Sequence, residues 1–273
     1  MRARAGGAAV IALALAVSPA CEIVRPLDLH PDVVALAALL VAGEREARML
    51  AVHPHRTPDR TPPLVAATLR GPGWEVGFRY ALKLEACTLA DLGHPATCLA
   101  ADLPEPVRPG REYGIRGTAP LGPFTGEATV PRAPLLLEPQ ASVTTPLPQG
   151  PSIVVPMRFR TDSDIGTLLA EVTDVFVSVP GGGEEEIPAS HLGSFPQRLE
   201  GAETDTITLV HDGRPLRFAL QLLGIGRNYT NFLGKAGLDP VPRPWPSFGI
   251  EGEGAYGYFD GATPSRISRI VLR

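Results

Sequence analysis

His53 and His55 stand one residue apart, so an extended backbone would carry both imidazoles on one face, a spacing that can hold a divalent metal. Two ligands do not make a site, and the sequence fixes no third; the plain alternative is a solvent-exposed strand end beside Arg56. Asp162 and Asp164, separated by Ser163, offer carboxylate oxygens at alternate positions as calcium loops do. The later Gly and bidentate Glu that complete such a loop are missing, and a turn or helix cap is the more economical reading. Glu184, Glu185 and Glu186 follow three glycines and read as a solvated loop whose negative charge can attract a cation. No metal and no organic cofactor is therefore expected.

Covalent catalysis finds equally little support. There is no G-x-S-x-G elbow, and the neighbours Ser190 and His191 say nothing about a triad whose members meet in space. Gly224-Ile225-Gly226 is half a dinucleotide fingerprint and follows no βαβ unit. A glycosidase needs two carboxylates across a cleft, and among 29 acidic residues the sequence singles out no pair. The densest aromatic group is Trp245, Phe248, Tyr256, Tyr258 and Phe259. These rings can stack on sugars or line a peptide pocket, or else pack the core of a second domain.

The chain that must position these residues is rich in turns. Of 273 residues 29 are Gly and 30 are Pro, about twice the usual share. Prolines scattered from Pro19 to Pro264 disfavour an all-helical bundle, since each removes an amide donor and clashes inside a helix. A hydrophobic content of 44% supplies an ordinary core and excludes wholesale disorder. The 25 basic and 29 acidic residues give a net charge of -4, and Lys83 and Lys235 are the only lysines; a nucleic-acid partner is not expected.

Arg2 and Arg4 precede the uncharged run Ala5 to Val17, followed by Ser18-Pro19-Ala20-Cys21, the pattern of a secretory signal over residues 1–20. Its apolar stretch is too short to span a bilayer. Cys21 stands directly after the expected cut, where bacterial lipoproteins carry the thiol that receives a diacylglycerol anchor. Ser18 replaces the Leu usual three residues earlier, so simple cleavage that leaves a bare Cys21 stays open. Export would also oxidise the remaining pair, Cys87 and Cys98; with His94 they supply too few ligands for zinc, and they read as a structural disulfide.

Residues 21–134 read as one immunoglobulin-like β-sandwich. Val33 to Val41 and Ala47 to His53 are apolar runs suited to strands, and Leu64 to Arg70 with Trp74 to Leu82 form a hairpin about Gly71-Pro72-Gly73. Tyr113, just after Pro109-Gly110, is placed like the tyrosine corner of such sandwiches. Residues 135–151 read as a Pro-rich join, and 152–273 as a second β-rich domain with one short helix at Arg227 to Gly237. In it the strand from Ser152 is expected at a sheet edge because of Pro156, and Asp212-Gly213 is expected to close a hairpin between Thr206 to His211 and Arg214 to Leu223.

The order of signal, Cys21, VVALAALLVAG, PPLVAATLRGPG, PGREYGIRG, GEATVPRAP, RNYTNFLGK and IEGEGAYGYFDG resembles the domain-of-unknown-function 4249 family of bacterial envelope lipoproteins. The resemblance implies an immunoglobulin-like or transthyretin-like N-terminal domain, an outer-membrane lipoprotein, and company with a TonB-dependent receptor. It brings no catalytic residues. The function expected is a non-catalytic binding or accessory module of the envelope, held to the membrane through Cys21. The alternatives are an exported hydrolase of glycan or peptide using acids such as Asp162, Asp164 or Glu184 to Glu186, and a structural or adhesive surface protein.

Overall fold

The computed structural model describes residues 32–54, 61–81, 83–84, 87, 94–147, 150–193, 196–236, 247–252 and 255–273. The segment through Cys21, together with His55 and Trp245, lies outside the described residues. The chain is mainly β, as expected, built of packed β-sheets, with one α-helix among the described residues.

The first apolar runs become β1 (Val34–Val41) and β2 (Glu46–Val52), an antiparallel pair turned at Gly43, whose φ of +91° suits glycine. β3 (Ala66–Gly71) and β4 (Trp74–Gly77) form the hairpin about Gly73, with Leu69 opposite Val76. The strand expected to continue through Leu82 breaks at Phe78. Its remainder, β5 (Arg79–Tyr80), changes sheet to pair with β6 (Ala96–Asp102), which is also bound to β2. β7 (Glu112–Ala119) and β8 (Gly122–Thr129) are a second hairpin, and β7 lies beside β3. Tyr113 is buried and its hydroxyl accepts a bond from the Arg108 amide at 2.8 Å, the tyrosine-corner contact. Cys87 and Cys98 are joined as a disulfide, with Cα atoms 5.6 Å apart.

The stretch read as a Pro-rich join carries two strands, β9 (Leu135–Glu138) and β10 (Ser142–Thr145). β11 (Ser152–Arg160) buries Ile153, Val155, Met157 and Phe159 at period two. After it come β12 (Thr167–Ser178), β13 (Glu184–Glu186), β14 (Gln197–Arg198), β15 (Thr204–Val210) and β16 (Leu216–Ile225). The helix α1 (Arg227–Ala236) is followed by β17 (Ser247–Phe248), β18 (Glu251–Gly252), β19 (Ala255–Pro264) and β20 (Ser268–Leu272).

These strands form three sheets. A 12-stranded sheet runs β10-β20-β16-β19-β1-β2-β6-β5, with β12 added to β16, β13 and β14 to β12, and β17 to β19. A five-stranded sheet, β18-β8-β7-β3-β4, packs on one end of it and encloses the first core, which includes Leu36, Met49, Leu69, Ile115 and Phe124. A three-stranded sheet, β15-β11-β9, covers the other end and encloses a second core around Phe159, Ile207, Leu220 and Leu222. The link between the sandwiches is β19. It lies parallel to β1 along all eight residues of β1 and then pairs antiparallel with β16 through Ala262, Thr263 and Pro264. Ile250, Ala255 and Phe259 thus belong to the first core although they come late in the chain.

Four expectations are corrected by the structure. The Asp212-Gly213 turn exists, with Gly213 at φ +86°, but β15 pairs with β11 and β16 with β12, β19 and β20. The turn carries the chain between sheets because the apolar faces of β15 and β16 bury against each other across the second core. Pro156 lies where β11 has only β15 beside it; β11 becomes a central strand from Arg158 onward, where β9 joins. Glu184 to Glu186 form an exposed strand on β12 instead of a loop, and Glu184 holds Arg217 at 2.8 Å. His53 is buried at 2% exposure, with Nδ1 3.2 Å from the Val33 carbonyl, where a solvent-exposed strand end was expected.

Candidate binding trough

Strand register assembles one group of charged side chains that no sequence spacing suggests. In the five-stranded sheet Arg70 lies opposite both Glu75 on β4 and Gly114 on β7, and Gly114 lies opposite Glu127 on β8. One row across the outer face therefore reads Glu75, Arg70, Gly114, Glu127. The next row carries Thr68, Arg116, Thr125 and Glu251, the last supplied by β18. The opposite faces of these strands hold Leu69, Tyr113, Ile115 and Phe124 in the core, so alternation fixes the charges outward.

Gly114 leaves the middle of this face without a side chain. A Cβ there would meet the Arg70 guanidinium at 3.3 Å, so that guanidinium leans over the bare position. The result is a cleft of about 540 Å³, bounded by Arg70, Arg116, Glu127, Asn228 and Glu251. Glu127 and Asn228 also wall a second cleft of about 480 Å³ that reaches Glu112, Asp164 and Arg227. The two together make a trough across the seam between the sandwiches.

The far wall is the first turn of α1. Asn228 Nδ2 donates to the carbonyls of Phe259 at 2.9 Å and Glu127 at 3.3 Å, which fastens the helix to β19 and β8 at once. Asp260, 2% exposed, accepts from the Tyr229 amide at 2.8 Å and from the Gly261 amide at 2.8 Å. It satisfies an otherwise unpaired amide of the helix start. Burial pushes the Asp260 carboxyl up to about 6, against the backbone hydrogen bonds that pull it down. Gly226 is required beside it, because a Cβ there would stand 2.0 Å from Asp260 Oδ1.

The charges differ in how far they are committed. Arg116 donates to Glu75 at 2.7 Å and to Thr68 at 3.3 Å, and this bond holds the Glu75 carboxyl below the usual carboxylate range. Arg70, Glu127 and Glu251 form no side-chain hydrogen bond or ion pair among the described residues. The lining carries guanidinium, carboxylate and amide groups, with no aromatic ring, histidine or cysteine among its described residues. Such a set can bind charged groups.

The residues singled out from sequence lie elsewhere or serve the scaffold. Phe259 is fully buried in the first core, not in a second-domain core. Tyr258 is covered by α1, with ring centroids 5.0 Å from Tyr229 and 5.3 Å from Phe232, and burial raises its hydroxyl to about 12. Phe248 pairs in register with Tyr258 and lies 5.7 Å from Lys235 Nζ; Tyr256 is half-buried on β19. Asp162 and Asp164 form a turn that grips Arg132, Asp164 through the backbone amide at 3.0 Å and Asp162 through the guanidinium at 3.6 Å. Only Asp164 of this group reaches the trough.

No family model matches the chain, and no curated protein does. Among solved structures, the D0-D1 domain of intimin aligns over 87% of this chain and 96% of its own, at 6% identity and a TM-score of 0.22. A pullulanase complexed with maltotriose, from Anoxybacillus sp. LM18-11, aligns over 69% of this chain and 24% of its own, at 10% identity and a TM-score of 0.19. Likenesses this slight carry no argument about function.

Proposed function

We propose that this chain is an exported protein of the bacterial envelope, anchored through an acylated Cys21, that works as a non-catalytic binding or accessory module beside a TonB-dependent outer-membrane receptor. The observation that supports it most is the trough: charged side chains that make no hydrogen bond among the described residues, set on a hydrogen-bonded sheet at the seam of two sandwiches. The signal pattern and the Cys87–Cys98 bridge agree with an oxidising compartment. The test is the intact mass of native protein extracted from membranes of its own bacterium, followed by crosslinking. A chain beginning at an acylated Cys21 and crosslinked to an envelope protein is expected. A bare soluble chain that crosslinks to nothing would count against the reading.

One observation favours a second reading, hydrolysis of glycan or peptide. Asp260, with its raised carboxyl, borders the same cleft as Glu112 and Glu127, and unlike carboxyl groups are how hydrolases divide acid and base roles. Its two backbone bonds to the start of α1 and to Gly261 favour a structural role. Turnover in a broad substrate screen that disappears in Glu127→Gln would establish the hydrolase instead.

A further inference from the structure

Resting on the reading of the trough as a binding site, we propose that its ligand is a small zwitterion of the amino-acid or short-peptide class. The ligand's carboxylate is taken by Arg70 and its ammonium by Glu127, Glu251 and Asn228. The sheet register places Arg70 and Glu127 on opposite sides of Gly114, two strand spacings or roughly 10 Å apart at the backbone. The guanidinium leaning over Gly114 narrows that gap. A dipeptide, with about 3.8 Å between its Cα atoms, carries its two charged ends at a separation of this order.

The commitments of each group assign the two ends. Arg116 is hydrogen-bonded to Glu75 and Thr68, whereas Arg70, although its charge also acts on Glu75, makes no side-chain hydrogen bond among the described residues and can form a paired bond with a carboxylate. Glu251 stands opposite Thr125, two residues along β8 from Glu127, so the two acids are diagonal neighbours able to flank one ammonium. Asn228 spends its amide hydrogens on Phe259 and Glu127 carbonyls, so its Oδ1 remains as an acceptor at the shared wall. The cleft volume of about 540 Å³ falls in the range of roughly 300–1,000 Å³ typical of small-ligand sites. The lack of a ring among the described lining residues removes the stacking platform a sugar would use.

The test is calorimetry of the full mature protein with L-alanyl-L-alanine, its N-acetyl form, its C-terminal amide and the diamine cadaverine. The free dipeptide is expected to bind at least tenfold more tightly than either capped form or cadaverine. Arg70→Gln should remove the difference between dipeptide and amide, and Glu127→Gln the difference between dipeptide and N-acetyl form. Both side chains point away from the core, and circular dichroism checks that the variants fold. Equal binding of free and capped forms, binding of cadaverine as tight as that of the dipeptide, or no binding at millimolar concentration overturns the assignment. Those results leave the module reading intact, because that reading fails separately, on a bare soluble chain that crosslinks to nothing or on substrate turnover that disappears in Glu127→Gln.

Discussion

The two sandwiches both carry surface ion pairs, but they differ in what lies between the charges. On the second, Arg217 lies 3.8 Å from the Phe176 ring centroid while binding Glu184 at 2.8 Å, and Arg158 binds Glu138 at 2.8 Å. On the first, Arg116 and Glu75 are paired, but Arg70, Glu127 and Glu251 around them are not. Exposed pairs contribute at most about 1 kcal/mol each, so stability does not dictate which charges pair. What sets the first sandwich apart is the bare Gly114, which separates Arg70 from Glu127 and leaves room for something else between them. The face around Gly114 is joined to the second sandwich through β19, which pairs with both β1 and β16.

The strongest way to break this connection is at β19 itself. Phe259 is fully buried, and Phe259→Ala should cost about 3–5 kcal/mol. Because β19 pairs with both β1 and β16, hydrogen-exchange protection should fall in both strands together. Loss confined to β1 would mean that the sandwiches are independent.

The next effect is electrostatic. Asp260 has a folded value of about 6 against 3.8 for the free side chain, so the folded state holds its proton more tightly than the unfolded one. Its contribution is therefore fully present below pH about 4, falls as pH rises through about 6, and is flat above. The loss amounts to about 3 kcal/mol at most. Urea unfolding at several pH values should show this slope in the wild type and not in Asp260→Asn. An unchanged slope in the variant would remove Asp260 as its source.

Period-two burial made most strands legible, as in Ser152–Arg160, and Gly-Pro-Gly marked the hairpin after β3 because the turn and both strands are contiguous. The same turn chemistry misled at Asp212-Gly213, since a tight turn says nothing about which sheet the next strand enters. The parallel partner of β1 lies at the other end of the chain, beyond any local signal. The trough was hidden for a related reason. Arg70, Gly114 and Glu127 are joined by register alone, and the one available hint was a glycine inside the strand PGREYGIRG, a place where packing space is left open.

The disulfide should stabilise the first sandwich alone. With a sequence separation of 11, its reduction is expected to cost about 2 to 3 kcal/mol through the freed entropy of the unfolded chain. Melting with and without reductant measures this, and an identical curve would show that the bridge contributes nothing. Protection in β16 that falls as far as in β2 would mean that β19 couples the halves even for changes remote from it.

The smallest expected effect compares two tyrosines. The Tyr113 hydroxyl accepts from the Arg108 amide beneath the first sandwich's corner, whereas the Tyr258 hydroxyl has no hydrogen bond among the described residues and its ring does the packing against α1. Tyr113→Phe keeps the ring but leaves the Arg108 amide without its acceptor, and should cost about 1 kcal/mol. Tyr258→Phe should change stability by no more than about 0.5 kcal/mol. Parallel urea titrations distinguish them. A larger loss from Tyr258→Phe would mean that its hydroxyl takes part in holding α1, the far wall of the trough, beside the ring contacts to Tyr229 and Phe232.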